Sequence, residues 1–253
     1  MKPLEGKVAF LTGAGRGLGI GIAMALAKAG ASVGLFGRNR DALEETAAKI
    51  AEVGGISHIA VGDVRFRDQV NAGVASVTEA LGPIWALVNN AYAADDRLVE
   101  DIDDDNLELA IRSCIYGSLY PMQACFPTMK EHGGRVINFG SGGSTMGMPN
   151  LASYNIAKEG VRGLTKSAAS GWGQYGITVN AVCPLATSPA YEKWFASSSK
   201  EDQEAHLNSI LLRRMGDPET DIGSLVVFLA GPGGGYITGR TLHVDGGRCY
   251  YDR

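Results

Sequence analysis

A short apolar run, Lys7 to Thr12, breaks into Thr12-Gly13-Ala14-Gly15-Arg16-Gly17-Leu18-Gly19 and passes directly into an alanine-rich helical pattern ending near Ala29. A strand joined to a helix by so many glycines commits the chain to a tight turn at a helix N-terminus, with free main-chain N–H groups and a positive dipole end. That junction is where a doubly wound sheet places its phosphate site. The glycines do not follow G-x-G-x-x-G, because Leu18 stands where the last glycine would be; the pattern is T-G-x-x-x-G-x-G. Without a closing Gly-Lys-Ser/Thr, the turn is not a P-loop.

The rest of the chain extends the same alternation. Strand-like runs fall at Ser32 to Phe36, His58 to Val61, Trp85 to Asn89, Arg135 to Phe139, Ile177 to Cys183 and Thr241 to Val244. Helical patterns separate them, among them Asp41 to Val53, Asn106 to Glu131, Tyr154 to Trp172 and Asp221 to Leu229. Pro121 and Pro127 predict kinks or breaks in the second of these. The stretch from Leu185 to about Asp221 is the least regular. Alternating strands and helices of this length imply βαβ units and a parallel sheet. No composition break marks a linker, so the expected fold class is α/β, a single doubly wound Rossmann-like domain over residues 1–253.

Cofactor chemistry is legible at the end of the second strand. An NAD-binding sheet usually carries Asp or Glu there to grip the ribose hydroxyls. This chain has Gly37 followed by Arg38. An acid would repel a 2′-phosphate, whereas Gly37 leaves room and Arg38 offers a forked cation. Arg16, inside the glycine turn, adds a second cation. These features predict NADP(H).

A reactive pair stands in the second half. Tyr154 and Lys158 are spaced i, i+4 and share one helix face. A free tyrosine titrates near 10, and an adjacent ammonium is expected to pull that value down. Tyr154 would then exchange a proton with a carbonyl or alcohol oxygen. Ser141, just after the fifth strand, is placed to hold that oxygen.

Taken together, these residues resemble the short-chain dehydrogenase/reductase family over nearly the whole chain. Thr12-Gly13 with Gly17 and Gly19 is similar to its cofactor turn, Gly62-Asp63-Val64 to its adenine-side acid, and Asn89-Asn90-Ala91 to its fourth-strand motif. Ser141, Tyr154 and Lys158 match its catalytic triad; Ile237-Thr238-Gly239 and Val244-Asp245-Gly246-Gly247 resemble its C-terminal signature. The resemblance implies about seven strands in the order 3-2-1-4-5-6-7, a substrate loop at about 186–213 and a homotetramer. It extends the cofactor contacts to Gly15, Leu18, Asp63, Val64, Asn90, Ala91, Pro184 and Thr187, beside Tyr154 and Lys158 themselves.

Three positions depart from the pattern. Tyr92 replaces the glycine that ends the fourth-strand motif. Cys114 replaces an asparagine that in the family helps hold a water linking the lysine to solvent. Pro184-Leu185 replaces Pro-Gly, with Thr187-Ser188-Pro189 in the clamp that follows.

For the substrate, Tyr92, Gly143, Met146, Tyr191 and Trp194 are the candidates, with Phe195 beside them. The loop aromatics either line an apolar pocket or pack the loop down. A ketone, aldehyde or secondary alcohol is the expected small-molecule partner. A cofactor-binding regulator without chemistry is the alternative, and an epimerase or dehydratase ranks behind it.

Other classes fit poorly. A net charge of -4 argues against a nucleic-acid partner. The start lacks the apolar stretch of a secretory signal, and no run reaches membrane-spanning length. Cys114, Cys125, Cys183 and Cys249 form no Cys-x-x-Cys pair, so reduced thiols and a cytoplasmic setting are expected. No metal is expected: His58, His132, His206 and His243 are scattered, and the acidic run from Asp101 to Asn106 lacks the glycine and the final Glu of a calcium loop. Carboxylates at a helix start complement its dipole instead.

Overall fold

The computed structural model describes residues 2–249. Seven strands form one parallel sheet in the order β3-β2-β1-β4-β5-β6-β7. They are β1 Val8–Thr12, β2 Ser32–Gly37, β3 Ile56–Val61, β4 Ile84–Asn89, β5 Gly134–Phe139, β6 Ile177–Pro184 and β7 Thr241–Val244. Every residue of β1 is buried, as a central strand covered on both faces requires. The helices begin with α1 Leu18–Lys28, α2 Arg40–Glu52 and α3 Arg67–Leu81, and continue with α4 Asp104–Ala110, α5 Gly117–His132 and α6 Gly142–Met146. The remaining ones are α7 Ala152–Trp172, α8 Pro189–Ser197, α9 Lys200–Asn208 and α10 Ser224–Ala230.

Two apolar clusters fill the spaces between sheet and helices. One gathers Leu11, Ile22, Leu26, Leu35, Ile50 and Leu229 on the α1 and α2 side. The other gathers Phe10, Phe36, Val77, Leu87, Met122 and Met129 on the α3 and α5 side. No helix among the described residues is long and apolar enough to cross a membrane.

Local signals set several helix ends. Asn39 accepts the Ala42 N–H at 3.2 Å and starts α2. Asp103 accepts the Asn106 N–H at 2.8 Å and starts α4, with Asp104 and Asp105 in its first turn. The acidic run is therefore a helix start.

Two expectations are corrected here. Pro121 and Pro127 lie inside α5 without ending it, and the irregularity comes earlier, where Ile111–Tyr116 winds as a π-helical segment between α4 and α5. The supposedly irregular stretch contains α8 and α9. Ser188 caps the first by accepting the Tyr191 N–H, and Ser199 caps the second by accepting the Asp202 N–H.

A buried polar chain ties the central strands to the helices behind them. Asn89 Nδ2 donates to Asn138 Oδ1 at 2.8 Å, and Asn138 Nδ2 donates to Thr165 Oγ1 on α7 at 2.9 Å. Asn138→Ala strips a partner from both neighbours in a dry interior. Loss of about 1–3 kcal/mol is expected, read as a lower urea midpoint.

Candidate active site

The strand order reverses between β1 and β4, so a crevice opens beyond their C-terminal ends. The glycine turn sits at that point. Gly17 adopts φ +53 with open space where a side chain would be, and it precedes α1 with no side-chain cap. A Cβ on Gly19 would collide with the Gly13 carbonyl oxygen. The result is an uncapped helix N-terminus approached by bare backbone, a cradle that fits a pyrophosphate.

Thr12 and Asn90 hold that crevice together. Thr12 Oγ1 accepts the N–H groups of Asn90 and Ala91, each at 3.1 Å. Asn90 Nδ2 donates to the carbonyls of Thr12 and Gly13, both at 3.1 Å. Their polar atoms thus brace the ends of β1 and β4.

At the end of β2, Gly37 has only ordinary contact with Leu43 where a Cβ would sit. Arg16 and Arg38 are exposed, and among the described residues neither guanidinium is engaged in a hydrogen bond or salt bridge. Asp63 is buried and gripped by Arg65 through Nε at 2.9 Å and Nη2 at 2.6 Å. Burial alone would raise its carboxyl, but the Arg65 hydrogen bonds outweigh burial and hold it below the usual range, with Arg38 adding in the same sense. The Arg65 clamp was not foreseen, although a cation two residues after the acid is visible in Asp63-Val64-Arg65. Val64 is buried against Gly117.

Ser141, Tyr154 and Lys158 come together near the end of β5. α7 buries Ser153, Ala157, Lys158, Val161, Thr165 and Ala168 as one stripe, which drives Lys158 into the interior. Its Nζ donates to the Phe139 carbonyl at 2.9 Å. Ser141 caps α6, its Oγ accepting the Gly143 N–H at 3.0 Å, and it lies close enough to the Tyr154 phenol to favour its ionised form. Burial pushes that phenol up to about 12, with the neighbouring Ser141 acting in the opposite sense. The expected lowering by Lys158 is therefore not met in this structure. Desolvation wins because the ammonium lies 5.5 Å from the Tyr154 ring centroid and spends a proton on Phe139.

The departures have structural accounts. Leu185 lies outside the left-handed region, so a side chain costs no backbone strain there, and its N–H donates to Val244 at 2.9 Å. Thr187 follows on a backbone pinned to Gly216 at 2.9 Å. Cys114 is buried in the π-helical segment, with Sγ 3.8 Å from Ser113 Oγ and its carbonyl accepting from Ser118 Oγ at 2.8 Å.

The candidates for the substrate divide. Tyr92 lies beside Tyr154, ring centroids 5.5 Å apart. Gly143 leaves Ser141 Oγ, Met148 and Leu151 close together, and Met146 is exposed at the end of α6. Tyr191 and Trp194 instead pack on each other and on His206, at 5.5 and 5.0 Å from its ring. The loop aromatics join α8 to α9, a contact that spacing did not predict because His206 stands far along the chain.

A doubly wound sheet with a glycine cradle at its switch point, and a Ser–Tyr–Lys cluster at the same strand ends, defines a Rossmann-type oxidoreductase. The chain belongs to the short-chain dehydrogenase/reductase family. The family described as Enoyl-(Acyl carrier protein) reductase matches residues 13–248. The chain is 39% identical to a 12alpha-hydroxysteroid dehydrogenase of Clostridium sp. over 251 residues, 96% of each chain. It is 37% identical to a 3-oxoacyl-[acyl-carrier-protein] reductase of Vibrio harveyi over 247 residues, 96% of this chain and 98% of the relative. Among solved structures, actinorhodin polyketide ketoreductase with NADPH superposes with a TM-score of 0.91 at 30% identity, covering 97% of this chain and 98% of the other. A short-chain dehydrogenase/reductase from Serratia marcescens gives 0.88 at 30% identity, covering 98% and 99%.

Proposed function

We propose that the protein is an NADP(H)-dependent carbonyl reductase or secondary alcohol dehydrogenase with Tyr154 as its acid/base. The observation that carries this reading is the meeting of three side chains at one strand end, with the buried Lys158 ammonium 5.5 Å from the Tyr154 ring centroid and Ser141 beside the phenol. The end of β2 carries Gly37 and the exposed Arg38 in place of an acid, with the exposed Arg16 in the glycine turn, which supports NADP(H) over NAD(H). The bound nicotinamide would supply or accept the hydride.

Within that reading the chain's own residues manage the proton. The Tyr154 hydroxyl gives its proton to the carbonyl oxygen as that carbon is reduced, and takes one from the alcohol in reverse. Ser141 Oγ donates a hydrogen bond to the same oxygen. Lys158 offsets the charge left on the phenolate. The α1 N-terminus would hold the pyrophosphate, and Thr12 with Asn90 braces the crevice that receives it. Asp63, Val64, Ala91, Pro184 and Thr187 would line the remaining length of the cofactor. On this reading the protein acts in the cytoplasm as a homotetramer, which light scattering after size exclusion checks.

The test follows nicotinamide absorbance against a panel of ring ketones, 3-oxoacyl thioesters and their alcohols. Turnover with NADPH, and slower turnover with NADH, is expected. NADPH binding with no turnover on any member would favour a non-catalytic regulator.

The direction of the Tyr154 shift fixes a pH dependence. A phenol held near 12 stays protonated, so kcat for reduction should be flat from about pH 6 to 8. Alcohol oxidation needs the phenolate, so its rate should climb toward alkaline pH by up to about tenfold per unit. Reduction that halves across neutrality would assign the proton to another group.

A further inference from the structure

We propose that Tyr92 is a positioning residue that holds the Lys158 ammonium against Tyr154 through its aromatic face; this rests on the catalytic reading above. Lys158 is 3% exposed and has three protons to satisfy. Its one hydrogen bond to a described residue goes to the Phe139 carbonyl. The ammonium lies 5.1 Å from the Tyr92 ring centroid and 5.5 Å from that of Tyr154. The two rings are 5.5 Å apart and inclined by 58°. One buried cation therefore faces two aromatic rings, both within the range of cation–π attraction; the Tyr92 ring covers it from the solvent side, with 53% of its own surface exposed.

The chain fixes Tyr92 from both sides. Upstream, Ala91 N–H donates to Thr12 Oγ1 at 3.1 Å. Downstream, Ala93 N–H donates to Ser113 Oγ at 3.0 Å, and the same hydroxyl donates to the Ala93 carbonyl at 2.5 Å. Ser113 belongs to the π-helical segment and adjoins Cys114. The segment that lost the polar amide thus clamps the residue that supplies the ring. The Cys114 carbonyl accepts from Ser118 Oγ at 2.8 Å, so the segment facing the ring is itself braced.

The substitutions that test this are Tyr92→Phe, Tyr92→Leu and Tyr92→Gly, alone and with Cys114→Asn. Each is assayed for kcat in both directions across pH and for NADPH affinity by fluorescence titration. Tyr92→Phe keeps the ring and should stay within about twofold of wild type. Tyr92→Leu should lower kcat about tenfold and move the rise in alcohol oxidation about one pH unit upward, with NADPH affinity unchanged. Tyr92→Gly should behave like Tyr92→Leu, and adding Cys114→Asn should restore part of the loss.

Wild-type kcat and pH profile in Tyr92→Leu would overturn the inference. So would a Tyr92→Phe as impaired as Tyr92→Leu, because the hydroxyl would then be the active part. Tyr154→Phe, run beside them, separates the two levels. If it is inactive while Tyr92→Leu is normal, only the role of Tyr92 fails; if it is fully active, the catalytic reading fails first.

Discussion

Tyr154→Phe should lower kcat for carbonyl reduction by about 10²–10⁴-fold while leaving the NADPH dissociation constant within about twofold. The substitution removes one hydroxyl and keeps the ring, so the Tyr92 contact at 5.5 Å survives. What disappears is the proton that the Tyr154 hydroxyl carries beside Ser141. Water is a poor replacement, since the phenol is buried deeply enough for its ionisation to be pushed up to about 12. Steady-state rates with fluorescence titration of NADPH check both halves. A kcat within tenfold of wild type would assign the proton to Ser141 or to solvent.

Arg38→Asp should reverse the cofactor preference. Charge-assisted hydrogen bonds are worth about 1.5–3 kcal/mol each, so loss of the guanidinium alone raises KM for NADPH by roughly 10- to 150-fold. The new carboxylate adds repulsion toward a 2′-phosphate and offers an acceptor to ribose hydroxyls. KM for NADH should therefore fall or hold. Asp63 stays ionised in the variant because its principal partner is Arg65, at 2.6 Å. Parallel kcat/KM values for the two cofactors give the answer. An unchanged ratio would place the 2′-phosphate elsewhere, with Arg16 the first alternative.

Chemistry carried by local sequence was legible before any coordinates. Strand β1, the glycine turn and α1 follow from neighbouring residues alone, and the i, i+4 spacing put Tyr154 and Lys158 on one helix with Ser141 before it. The acidic run was legible as a helix start for the same reason. Contacts made across the chain were not. The π-helical winding at Ile111–Tyr116 leaves no periodic mark in so short a segment, and the prolines drew attention to the wrong turn. Residues 189–208 carry serine caps for two short helices, yet their aromatic seam with His206 exists only once the chain doubles back. The rise in the Tyr154 phenol was hidden too, because sequence shows the neighbouring charge and not the burial that outweighs it.

The fate of a single label tests the account most directly. The protein is given NADPH deuterated at the transferable C4 position and a ring ketone, and the product is read by mass spectrometry for wild type and Tyr154→Phe. Deuterium is expected on the carbinol carbon of the alcohol in wild type, and almost no labelled alcohol from the variant. Unlabelled product, or labelled alcohol formed equally fast without the Tyr154 hydroxyl, would contradict it.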